Sequence, residues 1–224
     1  MKLIKNLFGI SSILVIMFSV SNVKAQDFGA DVVSSYVWRG TQFGTGPAIQ
    51  PWFTLPTITD GLELGAWGSF AVAGGDHQIY EFDLYATYDF GPVALTVTNY
   101  TFPQANGVYE EGSGLFDGDL EVAASGSVGP VGLTVGYFTD LGAMYVEAGV
   151  TVAGIDIAVG YGSDDDAEAA DFYAAGEDES GLVNVSLGGS KEIKITEDYS
   201  LPVFGSFVYN PTAEAAYMVF GFSF

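Results

Sequence analysis

The chain has 224 residues, with 28 acidic and six basic side chains, a net charge of −22 and no cysteine. That balance excludes nucleic-acid binding, which needs clustered Lys and Arg against phosphate. The lack of thiols excludes a disulfide framework and thiolate metal sites. High charge alone would suit a disordered chain, but 17 Phe, 13 Tyr and 3 Trp supply the apolar surface of a folded one.

Residues 1–25 read as a secretory signal peptide. Lys2 and Lys5 precede an apolar run from Leu7 to Val20, and Val23-Lys24-Ala25 gives a small-x-small cleavage pattern. The run is too short and wrongly flanked for a permanent membrane helix. Cleavage near Ala25 removes three bases and no acid, leaving three bases against 28 acids, a net charge of −25. Residues 26–224 are then expected to form one domain.

The first expected strand, 28–38, sets Phe28, Ala30, Val32, Tyr36 and Trp38 against Asp31, Val33, Ser35 and Val37. It runs into Arg39, the only arginine of the chain. Strands follow at 48–56 and 62–72. The segment 79–90, "IYEFDLYATYDF", alternates strictly: Tyr80, Phe82, Leu84, Ala86, Tyr88 and Phe90 oppose Ile79, Glu81, Asp83, Tyr85, Thr87 and Asp89. Period two over that length means a strand with one apolar and one polar face. The same alternation marks 119–128, 143–152 and 155–161, and strands are also expected at 93–102, 131–139, 182–193, 201–209 and 215–224. The total is about twelve, an even number suited to an up-and-down barrel.

The polar faces hold Gly, Ser, Thr, Asp and Glu, and the apolar faces hold aliphatics bracketed by aromatics. A soluble sandwich would carry more lysine outside. A lipid-facing exterior around a small polar interior accounts better for three bases in the mature chain. Short turns such as Gly91-Pro92, Gly129-Pro130 and Ala153-Gly154 alternate with longer or more polar loops such as "RGTQFGTG" and "SDDDAEAADFYAAGEDES". The expected fold is therefore all-β: a transmembrane antiparallel β-barrel with short periplasmic turns and longer extracellular loops. The last strand places Phe220, Phe222 and the terminal Phe224 on one face, an expected signal for bacterial barrel-assembly machinery. The expected location is the outer membrane of a Gram-negative-type bacterium, among phospholipid and lipopolysaccharide.

Several short motifs occur in an order that resembles the TorF family of bacterial proteins. They are Tyr36, Val37, Arg39 and Gly40; Ala48, Ile49 and Gln50; Glu81, Asp83, Leu84 and Tyr85; and Tyr100, Pro103, Tyr109 and Glu110. The resemblance covers roughly the first half of the mature chain, with specificity in the order of motifs. It implies an outer-membrane barrel and supplies no substrate or catalytic residue.

The alternation assigns Tyr36, Trp38, Tyr80, Tyr88 and Phe90 to an aromatic girdle at the headgroup level. It sends Asp31, Arg39, Glu63, Glu81, Asp83, Asp119, Glu121, Glu147 and Asp156 into the lumen, along with Asp89, Glu192 and the base Lys194. Arg39 needs a carboxylate partner there, and Glu81 and Asp83 are the expected ones. The cluster is either a constriction for small cations and small polar solutes or a salt-bridge staple in a closed barrel. Asp164, Asp165, Asp166 and Glu168 are weak metal candidates, since their loop lacks the D-x-D-x-D-G spacing of a calcium loop. The single histidine, His77, lies in a polar turn, and Ser69 faces the lumen, so a Ser–His lipid-modifying enzyme is a distant reading. No cofactor is implied.

Overall fold

The computed structural model describes residues 27–55, 59–72, 80–103, 118–164, 172–173 and 180–224. The expected signal peptide lies outside them. Among the described residues, fourteen strands run in chain order: β1 (Asp27–Val33), β2 (Tyr36–Trp38), β3 (Thr41–Gly44), β4 (Ala48–Thr54), β5 (Leu62–Ala71), β6 (Glu81–Asp89), β7 (Val93–Thr101), β8 (Asp119–Val128), β9 (Val131–Phe138), β10 (Ala143–Val152), β11 (Ile155–Asp164), β12 (Ser180–Lys194), β13 (Ser200–Asn210) and β14 (Ala215–Ser223). Twelve of them close into an antiparallel barrel in which β1 pairs with both β14 and β4. Closure leaves no strand edge to face hydrocarbon.

The exterior carries the apolar half of each alternation. Val97, Val122, Val135, Val159, Leu187, Phe207 and Phe220 are all exposed on it. In water such a surface would be an aggregation hazard, but in a bilayer it is the lipid contact. The opposite parity points inward: Glu121, Ala123 and Ser125 on β8, and Tyr145, Glu147 and Gly149 on β10.

Two features break the regular meander. The first expected strand does not run from 28 to 38. It leaves the barrel wall after Val33, where Ser34 donates its N–H to the Phe220 carbonyl (2.8 Å) and its hydroxyl accepts the Phe220 N–H (3.0 Å). The chain then forms a separate hairpin, β2–β3, so "RGTQFGTG" contains a strand as well as a turn. Ser35 fastens its base, donating to the Gly44 carbonyl (2.6 Å) and accepting from Gln42 (2.8 Å).

The second feature is a β-bulge in β12. Gly160 pairs with Asn184 but Tyr161 pairs with Leu182, so Val183 is an extra residue. Val183 and Asn184 are both fully buried, while Leu182 is exposed outside. A bulge puts two neighbours on the same face where strict alternation would allow one.

Candidate functional site

The β2–β3 hairpin enters the extracellular half of the lumen and crosses it. Its two-residue tip is Arg39-Gly40, with φ of 47° and 82°, the pair of left-handed residues of a type I′ turn. A left-handed non-glycine residue costs about 1–2 kcal/mol, so surrounding contacts must hold Arg39 there. Gly40 is required by space as well, because a Cβ would run into the Val183 carbonyl on β12. From β13, the Asn210 side chain donates to the Gly40 carbonyl at 3.2 Å.

Arg39 is the anchor. One terminal nitrogen donates to Glu121 Oε1 on β8 (2.5 Å) and to the Tyr173 hydroxyl (2.6 Å). The guanidinium lies 4.2 Å from the Trp38 ring centroid and 4.5 Å from that of Tyr145 on β10. Tyr100 on β7 donates to the other Glu121 oxygen at 3.0 Å. A buried cation is tolerable only when paired and hydrogen-bonded to this extent, and two aromatic faces add cation–π attraction. Burial raises the Tyr173 phenol well above its ordinary range, despite the pull of Arg39, so it remains a neutral hydroxyl. Inward glycines make room: a Cβ at Gly136 would strike the Glu121 carboxylate, and one at Gly160 the Tyr145 ring.

Aromatic packing completes the plug. Trp38 meets Phe43, Tyr100, Phe138 and Phe172 with centroid separations of 6.0, 5.6, 6.2 and 6.3 Å. Tyr36 packs on Phe43 (5.3 Å) and on Trp67 of β5 (5.5 Å). Tyr36 and Trp38 are therefore not girdle residues, as alternation alone suggested. The departure of the chain at Ser34 carries both inside. Tyr80 lies beside Phe70 at 6.3 Å, and Tyr88 and Phe90 pair at 4.6 Å on the exterior.

Asp31, Glu81, Asp83, Glu121 and Glu147 are buried and face the interior. The expected partners of Arg39, Glu81 and Asp83, are not its partners; the ion pair is with Glu121. The hairpin tip spans the lumen to β8–β10, whereas Glu81 lies beside the Tyr36 hydroxyl near the hairpin's base. Glu147 accepts hydrogen bonds from Tyr145 and from Asn184, the latter at 3.0 Å. Glu63, Asp119 and Asp156 are half-buried toward the strand ends, where Thr151 donates to Asp156 at 2.6 Å. Asp89 is exposed and accepts the Gly91 N–H, and Lys194 and Glu192 are exposed at the periplasmic end of β12, so Lys194 adds no base to the plug.

Asp164 is buried, and its carboxylate accepts the Tyr173 N–H at 3.0 and 3.3 Å, holding Tyr173 beside Arg39. Asp165, Asp166, Glu168, His77, Tyr109 and Glu110 lie outside the described residues. Among the described residues, no group of three acids or histidines comes together to hold a metal. Phe220 and Phe222 on β14 share the outward face with Phe224 just beyond it, and Phe222 and Phe224 lie at 5.4 Å.

Sequence reasoning missed the hairpin, the bulge at Val183 and the parts played by Tyr145, Tyr173 and Asn184. The available signal was Arg-Gly between two short runs, weak because arginine is not a type I′ residue.

No family model matches the chain, and no curated protein matches it. One similar solved structure is OmpTdeltaL8, a loop L8 deletion mutant of OmpT, an outer membrane protein of Vibrio cholerae. It is 14% identical, with 89% of this chain and 97% of that chain covered and a TM-score of 0.33. A likeness that remote carries no argument about function.

Proposed function

We propose that this chain is an outer-membrane barrel closed at rest by its own hairpin, a surface and structural protein rather than an open pore. The observation that supports it is the fastening of Arg39 across the lumen to Glu121, Tyr173, Trp38 and Tyr145. Twelve strands give a bore between that of the side-chain-filled small barrels and that of the open porins. A hairpin carrying Tyr36, Trp38 and Phe43 fills much of such a bore. In this reading lipopolysaccharide surrounds the acidic extracellular connections, and the terminal phenylalanine strand is the handle for barrel-assembly machinery.

The second reading is a narrow cation channel in which Arg39 sets selectivity. It draws on Asp31, Glu81 and Asp83, buried on the wall without a basic partner. Planar-bilayer conductance of the refolded mature barrel separates the two. The closed reading expects silence from the wild type and cation-selective steps from Arg39→Ala, since loss of the anchor exposes the lumen carboxylates. Steady wild-type conductance at low voltage would sink it in favour of the channel.

A further inference from the structure

Among the described residues of the wall strands, the lipid-facing positions are uncharged with one exception. The acids occupy the inward parity of their strands, and Lys191 on β12 is the charged side chain on the outward one. Register fixes its side: Lys191 pairs with Val203, and Val203 with Phe222, a row that continues the exterior face of Leu187 and Phe207. Glu192 and Lys194 take the opposite parity, and Glu197 and Asp198 lie beyond the strand in the β12–β13 turn, so no acid of β12 or β13 shares the outer face with Lys191.

The height of this row is fixed as well. The last register pair of β11 with β12 is Asp156 with Gly188, and a Cβ at Gly189 would come within 3.2 Å of the Gly154 carbonyl oxygen in the β10–β11 turn. Lys191 stands just past that turn, at the periplasmic limit of the hydrocarbon face. From Gly189 to Lys194, β12 pairs with β13 alone, so the two strands project beyond their neighbour as a tongue. Ile193, Ile195 and Tyr199 are exposed on it and carry apolar surface into the headgroup layer. Directly above Lys191 the exterior is bare. Gly189 and Gly205 are register partners on the outward face, with the Phe220 ring along one side of the notch they leave. Positions without side chains let a neighbouring molecule approach the backbone closely.

We propose that this corner binds one anionic phospholipid of the periplasmic leaflet, its phosphate on Lys191 and its glycerol end in the Gly189–Gly205 notch. An ammonium at the edge of hydrocarbon is costly unless it reaches the headgroups, and a lysine stem is long enough to do so. The occupant follows from continuity, since the corner extends the lipid-facing wall, and from charge, since a lone cation on a neutral face favours an anionic headgroup over a zwitterionic one. The inference concerns the outer face and is independent of whether the lumen is closed; a conducting wild type would overturn the closed reading and leave the lipid readout standing.

The test uses the refolded mature barrel in mixed micelles of neutral detergent with equimolar phosphatidylglycerol and phosphatidylcholine. Native mass spectrometry should find one lipid retained, with phosphatidylglycerol preferred about fivefold, the ratio expected of one lysine near a charged surface. Lys191→Gln should bring the preference to about one, while Lys191→Arg and Lys194→Gln keep it. Gly205→Leu, which fills the notch and displaces only the Phe220 ring, should lower total lipid retention. Phosphatidylglycerol should also raise the Tm of the wild type saturably and that of Lys191→Gln not at all. Equal retention of the two lipids by the wild type, or a preference unchanged in Lys191→Gln, overturns the proposal and leaves Lys191 as a guard of the open β12 edge against another strand. Displacement of the lipid by excess inorganic phosphate also overturns it, assigning the corner to a free anion.

Discussion

Arg39 gathers backbone strain, a buried charge and two ring contacts in one side chain. Removing it leaves Glu121 buried and uncompensated, which is why single truncations of buried pairs are costly while double replacement is milder. A double-mutant cycle on Arg39→Ala and Glu121→Gln should therefore give a coupling of about 1–3 kcal/mol in reversible unfolding of the barrel. Additive single effects would show that the aromatic cage, not the ion pair, holds the tip. Gly40→Ala should also weaken docking, by more than about 1 kcal/mol, because strain and a collision with Val183 coincide. Its readout is protease access to the hairpin of a folded, heat-modifiable barrel.

At the scale of elements, the wall and the plug obey different rules. Wall strands such as β8 and β10 are read directly from their alternation, and their bounds coincide with those expected, 119–128 and 143–152. The hairpin resists that reading because its apolar residues continue the parity of β1 without sharing its environment. Tyr36 and Trp38 look like an extension of Phe28, Ala30 and Val32, yet two serines divert them from lipid into the lumen. The bulge in β12 escapes for a related reason: one inserted residue shifts the phase of a pattern that is legible only while in phase. Deleting Val183 should restore strict alternation of Leu182 and Asn184 and remove the carbonyl against which Gly40 sits. The expected product is a folded barrel with a loosened plug, seen as bilayer conductance in the variant and none in the wild type. A silent variant would place the closure elsewhere.

For the whole molecule, the solvent on each side of the wall decides what a position tolerates. Val159 lies outward in the middle of β11, and Thr134 faces the lumen from β9. Val159→Arg should destabilise the barrel by about 2–4 kcal/mol in a bilayer, the cost of a cation near mid-membrane. Thr134→Arg should cost far less, since the interior below the plug is polar and already rich in carboxylates. Equal costs at the two positions, measured by denaturant unfolding into the same lipid, would contradict the assignment of faces.

Period-two alternation, the rhythm of short and long connections and the scarcity of lysine belong to the one-dimensional chain, so the barrel, its strand number and its inward acids were legible in the sequence. Those properties are local, set by which side of a strand a residue occupies. The partner of Arg39 and the course of the hairpin are not local. Arg39 meets a carboxylate 82 residues away and a phenol 134 residues away, and only closure of the ring brings β8, β10 and Tyr173 to face one turn. Alternation assigns a side chain to a face, but it cannot say what stands across the lumen; that is decided when the wall closes and the hairpin folds inward.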